Sequence, residues 1–166
     1  MNSGFRCLGL LLLFTMMGSS GLQASPVGVG SSIGAAFSLA HRERLNQGVQ
    51  VEAHVRRDPY EIRFEYADPG SSLFSLSLAR KHFFSQESLR PFAEAGLGFA
   101  ILSDSGGLAY GPRPSLSLGA ELGISHHFSA QALVRYSAYM VFGETSGGSW
   151  EANHSFSLIG GLTLWF

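Results

Sequence analysis

The chain holds one cysteine, Cys7, and one lysine, Lys81, in 166 residues. A lone thiol excludes a disulfide framework and a thiolate metal site. Charged residues make up only 14% of the chain, and acids and bases nearly cancel to a net charge of −1. No basic excess points to nucleic acid, and no acidic block suggests a solvated tail. Beyond the first 24 residues no helical period survives, which excludes a helical bundle and any α/β arrangement. No repeat, linker or second domain is visible.

Residues 1–24 have the form of a secretory signal. Arg6 supplies positive charge, "CLGLLLLFTMM" a short apolar core, and "GSSGLQA" small residues up to a cut after Ala24. The apolar run is about 11 residues, too short to cross a bilayer as a helix. Residues 25–166 form one exported domain in this reading.

That domain is written in period two. In "GVQVEAHVRR" Val49, Val51, Ala53 and Val55 share one face, and Gln50, Glu52, His54 and Arg56 the other. After the turn at Asp58-Pro59, Tyr60, Ile62, Phe64 and Tyr66 oppose Glu61, Arg63 and Glu65. The same alternation recurs around Ile33–Leu39, Phe74–Leu78, Ala93–Ile101, Leu116–Ile124, Phe128–Ala138 and Phe156–Phe166. It predicts eight antiparallel strands of roughly nine to thirteen residues, a length that crosses a bilayer at a tilt. Short connections ("RDP", "SQESLR", "SHH") alternate with others that include the long "SDSGGLAYGPRP" and "FGETSGGSWEAN". Transmembrane barrels show this asymmetry, with short periplasmic turns and longer outer loops.

A soluble sandwich would also alternate, with its apolar face as the core. Three features oppose it. The strands are long for a soluble sheet, whose strands average about five or six residues. The polar faces are rich in Gly, Ala and Ser, unlike solvent faces. The exported domain has no disulfide. An inside-out barrel accounts for all three: apolar side chains face lipid, and small and charged residues fill a narrow interior. The fold class read from the sequence is therefore all-β, an up-and-down eight-stranded transmembrane barrel.

The interior would then hold Glu52, His54, Arg56, Glu61, Arg63, Glu65, Glu94, Glu121, Gln131 and Arg135. Buried charges persist when paired, so Arg135 is expected to meet Glu121 or Glu94, and Arg63 to meet Glu52 or Glu94. Gly96, Gly98, Gly119 and Gly123 are expected to leave room for these long side chains. His126-His127 reads as turn polarity and not as a metal site. Tyr110, Phe142 and Trp150 read as the outer aromatic girdle, and Tyr60, Phe84, Phe128 and Phe166 as the periplasmic one.

This pattern resembles the small eight-stranded outer-membrane barrels of Gram-negative bacteria, of the OmpA/OmpX type. The resemblance spans the whole exported domain. Its most specific element is the last strand, with Leu158, Leu162, Leu164 and the final Phe166 on one face. It implies an outer-membrane location, contact with membrane lipid and lipopolysaccharide, and recognition of that strand by the barrel-assembly machinery. It also implies a monomer with no cofactor, no metal and no nucleic-acid partner, in a structural or surface-interaction role.

A narrower resemblance links "SLRPFAEAGLGFAILS", "LVRYSAYM" and "SWEANHSFSL" to the lipid A deacylases. It implies a serine at Ser137 and an acid at Glu151. Arg135 stands where that family has its histidine, and a guanidinium cannot act as a general base. His154, the nearest substitute, has outward parity while Ser137 has inward parity. The rival reading is thus a lipid A-modifying hydrolase or a catalytically silent relative.

Overall fold

The computed structural model describes residues 26–39, 45–68, 72–104, 107–143 and 150–166. The expected signal at 1–24 lies outside them. Eight strands follow in order: β1 (Gly28–Leu39), β2 (Leu45–Arg57), β3 (Tyr60–Asp68), β4 (Ser72–Phe83), β5 (Leu89–Asp104), β6 (Gly107–Ser125), β7 (Phe128–Gly143) and β8 (Trp150–Trp165). Each pairs antiparallel with its neighbour in sequence, and β8 returns to β1, so the sheet is a closed barrel. Closure pairs the backbone all the way round and leaves no edge strand.

The stagger can be followed around the ring. From Arg57 the register passes through Tyr60, Arg80, Ala95, Leu116, Tyr136, Phe156 and Phe37 to Gln47, ten residues back along β2. For eight strands that stagger corresponds to a tilt of roughly 40° from the barrel axis. The lumen of such a barrel has room for side chains and no more.

Alternation sorts the side chains as the sequence predicts. Val49, Val51, Val55, Ile62, Phe64, Leu76, Leu78, Leu97, Leu116, Leu118, Val134, Leu158 and Leu162 are all exposed on the outer wall. Arg57, Asp68 and Arg80, near strand ends, are exposed, but most charged residues of the same strands are buried inside. Two small apolar groups join them. Phe92, Leu133 and Ile159 cluster in one layer, and Ala36, Ala67, Leu73, Ala100, Ala109, Tyr139 and Val141 cluster toward the end away from the short turns.

The strands differ from expectation in length. β5, β7 and β8 run to 16 residues and β6 to 19. The segment expected as a long loop, "SDSGGLAYGPRP", instead continues the β5–β6 hairpin, with Ser103 opposite Leu108 and Asp104 opposite Gly107. Its prolines mislead because proline usually breaks a ladder. Here the β6–β7 ladder skips 111–114, where Pro112 and Pro114 have no N–H to donate, and resumes in the same register at Ser115. Likewise "FGETSGGSWEAN" is strand except at 144–149, which lie outside the described residues.

Candidate functional site

The interior is the place where chemistry-bearing residues converge. Five cations, Arg56, Arg63, Lys81, Arg113 and Arg135, and five carboxylates, Glu52, Glu61, Glu65, Glu94 and Glu121, are buried there. The two sets balance, which is the condition for burying so many charges.

They are arranged in tiers. At the mouth beside the short turns, Arg56 and Arg90 both contact Glu121, and Arg56 also reaches Asp58 at 2.5 Å. Aromatic rings cover this tier: the Arg56 guanidinium lies 4.5 Å from the Trp165 ring, and Arg90 lies 4.3 Å from Phe83. Trp165 is fixed by donating its indole N–H to Ser129 Oγ at 3.0 Å. Above it, Lys81 bonds Glu61 at 2.8 Å and Gln131 at 2.7 Å, and Arg63 bonds Glu94 at 2.6 Å. Next, Arg135 contacts Glu52 and donates to Ser117 at 3.2 Å, while Ser117 donates to Glu94 at 2.9 Å. In the last charged tier Arg113 grips both oxygens of Glu65 at 2.6 Å and donates to Ser75. The apolar cluster of Leu73, Tyr139 and Val141 lies over it toward the outer end, with Tyr139 bonded to Ser38.

The pairing follows the lumen rather than the ladder. Glu52 faces Glu65 directly across the β2–β3 ladder, and His54 faces Arg63. Opposite charges arrive from the far wall instead: Arg135 on β7 and Arg113 on β6 serve Glu52 and Glu65. The expected pair of Arg135 with Glu121 is therefore replaced. Glu121 lies a tier away, held by Arg56 and Arg90, and Arg135 takes Glu52 with Glu65 and Glu94 at 3.6 and 3.7 Å.

The glycine expectation holds at one position of four. A Cβ on Gly96 would meet Arg63 Nη2 at 3.1 Å. At Gly98 it would meet Ser77, at Gly119 Leu133 and the Phe92 ring, and at Gly123 only Ser88 O at 3.7 Å.

The sequence reading passed over Lys81, Arg113 and Trp165. Lys81 and Arg113 share the inward parity of Ser77 and Ser117, and Trp165 that of Thr163. Parity was the available signal, obscured where strands were ended too early.

Of the candidate hydrolase residues, Ser137 and His154 lie on opposite sides of the wall. Ser137 is buried at 1% exposure, on the ladder between Ser115 and Ser155. His154 is exposed on the outer wall, where Nδ1 and the Tyr136 hydroxyl are 2.6 Å apart and the rings stack. Glu151 pairs with Val141 in register, and its side chain lies outside the described residues. Among the described residues no three His, Cys, Asp or Glu side chains converge as a metal site. His126 and His127 form the β6–β7 turn, where His127 O accepts from the Trp165 N–H at 2.9 Å.

No protein-family profile matches this sequence, and no curated protein matches it. Solved structures do. Neisserial surface protein A superposes with a TM-score of 0.64 at 15% identity, covering 84% of this chain and 97% of that one. OprG, an outer membrane protein of Pseudomonas aeruginosa, gives 0.50 at 9% identity, covering 86% and 96%. The chain has the fold of the small eight-stranded outer-membrane barrels. The outer membrane enzyme PagL also matches, at 0.44 and 16% identity over 81% of this chain and 97% of that one, too distant to carry an argument about chemistry. Aromatic residues occur near both ends of the barrel and along its wall, where Phe64, Phe99 and Phe156 are exposed. Tyr110, Phe142 and Trp150 are register neighbours near one end, and Phe84, Phe128 and Phe166 lie at the other.

Proposed function

We propose that this chain is a non-enzymatic outer-membrane barrel of a Gram-negative cell, serving envelope structure or contact at its outer surface. One observation carries the reading: an apolar outer wall encloses a charge-balanced interior, with Leu73, Tyr139 and Val141 buried together toward the end away from the short turns. The wall suits lipid, and the filled lumen suits neither a substrate nor a solute path. The short turns would face the periplasm, and the opposite ends of the strands the cell exterior. In the same reading Leu158, Leu162, Leu164 and Phe166 present an apolar edge to the assembly machinery, with Phe166 exposed at 74%.

Lipid A from cells expressing the protein tests this reading by mass spectrometry. The expected spectrum is unchanged, and Ser137→Ala behaves like the parent. Loss of an acyl chain that depends on Ser137 would replace this proposal with a hydrolase.

A further inference from the structure

The outer wall is mostly apolar, and its outward-facing Lys and Arg side chains among the described residues lie at one place. Eight lysines and arginines lie in the described residues, and six of them point into the barrel or its mouth. The other two, Arg57 and Arg80, point outward and are exposed. They are not scattered. Both are register partners of the same residue, Tyr60, so the row Arg57–Tyr60–Arg80 crosses β2, β3 and β4 at the short-turn end. His82 is exposed on the same face one step below Arg80, with its ring edge-on to Phe84 at 5.2 Å.

We infer that this row is a binding surface for the phosphate of an anionic glycerophospholipid in the inner leaflet. The inference rests on the outer-membrane reading, which puts the short turns in the periplasm. Two arguments select the ligand. The first is charge: among the described side chains the acids that face outward or lie in turns are Asp58, which pairs with Arg56, Asp68, at the other end of β3, and Glu87, in the β4–β5 turn, so the row keeps a net positive charge. Guanidinium forks match phosphate oxygens in geometry as well as charge.

The second is depth. Arg80 stands two outward positions above Phe84, about 10 Å along the axis at this tilt. The outward apolar runs are short on this wall, Val49–Val55, Ile62–Tyr66 and Phe74–Leu78. They are longer opposite, Leu116–Ile124 on β6 and Phe156–Phe166 through β8. A short apolar run thins the adjoining leaflet and draws headgroups inward. The cations sit where those phosphates would come, with Val55, Ile62 and Leu78 above them for the acyl chains.

Electron spin resonance of refolded protein in phosphatidylcholine vesicles tests this. The vesicles carry trace spin-labelled phosphatidylglycerol or, in a parallel set, spin-labelled phosphatidylcholine. The parent should immobilise the anionic label with a preference of roughly ten- to thirtyfold at the occupied position. Arg57→Gln and Arg80→Gln should each remove several-fold of it, and the double variant nearly all; the single variants keep the test valid if the double one fails to fold. Excess inorganic phosphate should leave the preference intact, and its loss would assign the row to small anions and overturn the lipid. A protein that inserts, shown by heat-modifiable migration, but prefers neither label overturns this inference alone. A protein that never inserts overturns the membrane reading as well.

Discussion

Arg135 contacts Glu52 and stands within 4 Å of Glu65 and Glu94, so one guanidinium stabilises several buried carboxylates. Replacing it by Leu removes the cation and leaves those carboxylates in place. Breaking a buried pair in this way costs about 3–5 kcal/mol. Urea unfolding in lipid vesicles should show a loss of that size for Arg135→Leu. Adding Glu52→Gln should recover much of it, because the remaining carboxylates still have Arg113, Arg63 and Lys81. Parity in the sequence shows that Arg135 points inward, and that is all it shows. The partner is chosen by the stagger, which brings β7 across the lumen from β2. Strand alternation contains no information about the opposite wall.

Strand β6 illustrates the element scale. Its outer half carries Gly107, Gly111, Pro112 and Pro114, which in a local reading spell a loop. Tertiary pairing overrides those preferences. Gly107 adopts a φ of 123° at the start of the strand, a conformation other residues rarely take. Gly111 has another role. A Cβ there would lie 1.8 Å from the carbonyl oxygen of Met140, so only hydrogen fits between β6 and β7 where the ladder is interrupted. Gly111→Val should therefore pry the two strands apart at the outer end and leave the lower ladder intact. Hydrogen exchange should rise at Met140 and Val141 and stay unchanged at Val134 and Arg135. Equal exchange at both places would count against this account. The inner parts of all eight strands were legible because alternation there runs without interruption. Their outer ends were not, because glycine and proline carry the same local signal in a loop and in a tightly packed hairpin.

At the scale of the barrel, the described interior holds tiers of ion pairs with an apolar cluster over them. Planar bilayers containing the refolded protein should show no sustained channel. Changing Leu73 and Val141 to Ser should hydrate the outer end and still give no steady conductance, since Arg113–Glu65 and Arg135–Glu52 remain below. A stable open channel in the parent would show that the tiers part spontaneously. Sequence alone foretold a filled interior, because eight strands and many inward charges leave little else. The separation into a charged body and an apolar lid went unseen, because Leu73, Tyr139 and Val141 lie beyond the ends assigned to their strands.

The register of β2 against β3 has a consequence beyond the hairpin. With Glu52 opposite Glu65, the hairpin taken alone places two carboxylates side by side, and like charges directly opposed are destabilising. Their cations reside on β6 and β7, far along the chain from this hairpin. A partly assembled sheet must therefore keep these acids hydrated or protonated, and it cannot settle comfortably among acyl chains. Only the finished ring neutralises them. The charge balance of the interior is thus a property of the closed ring and of no smaller piece of it.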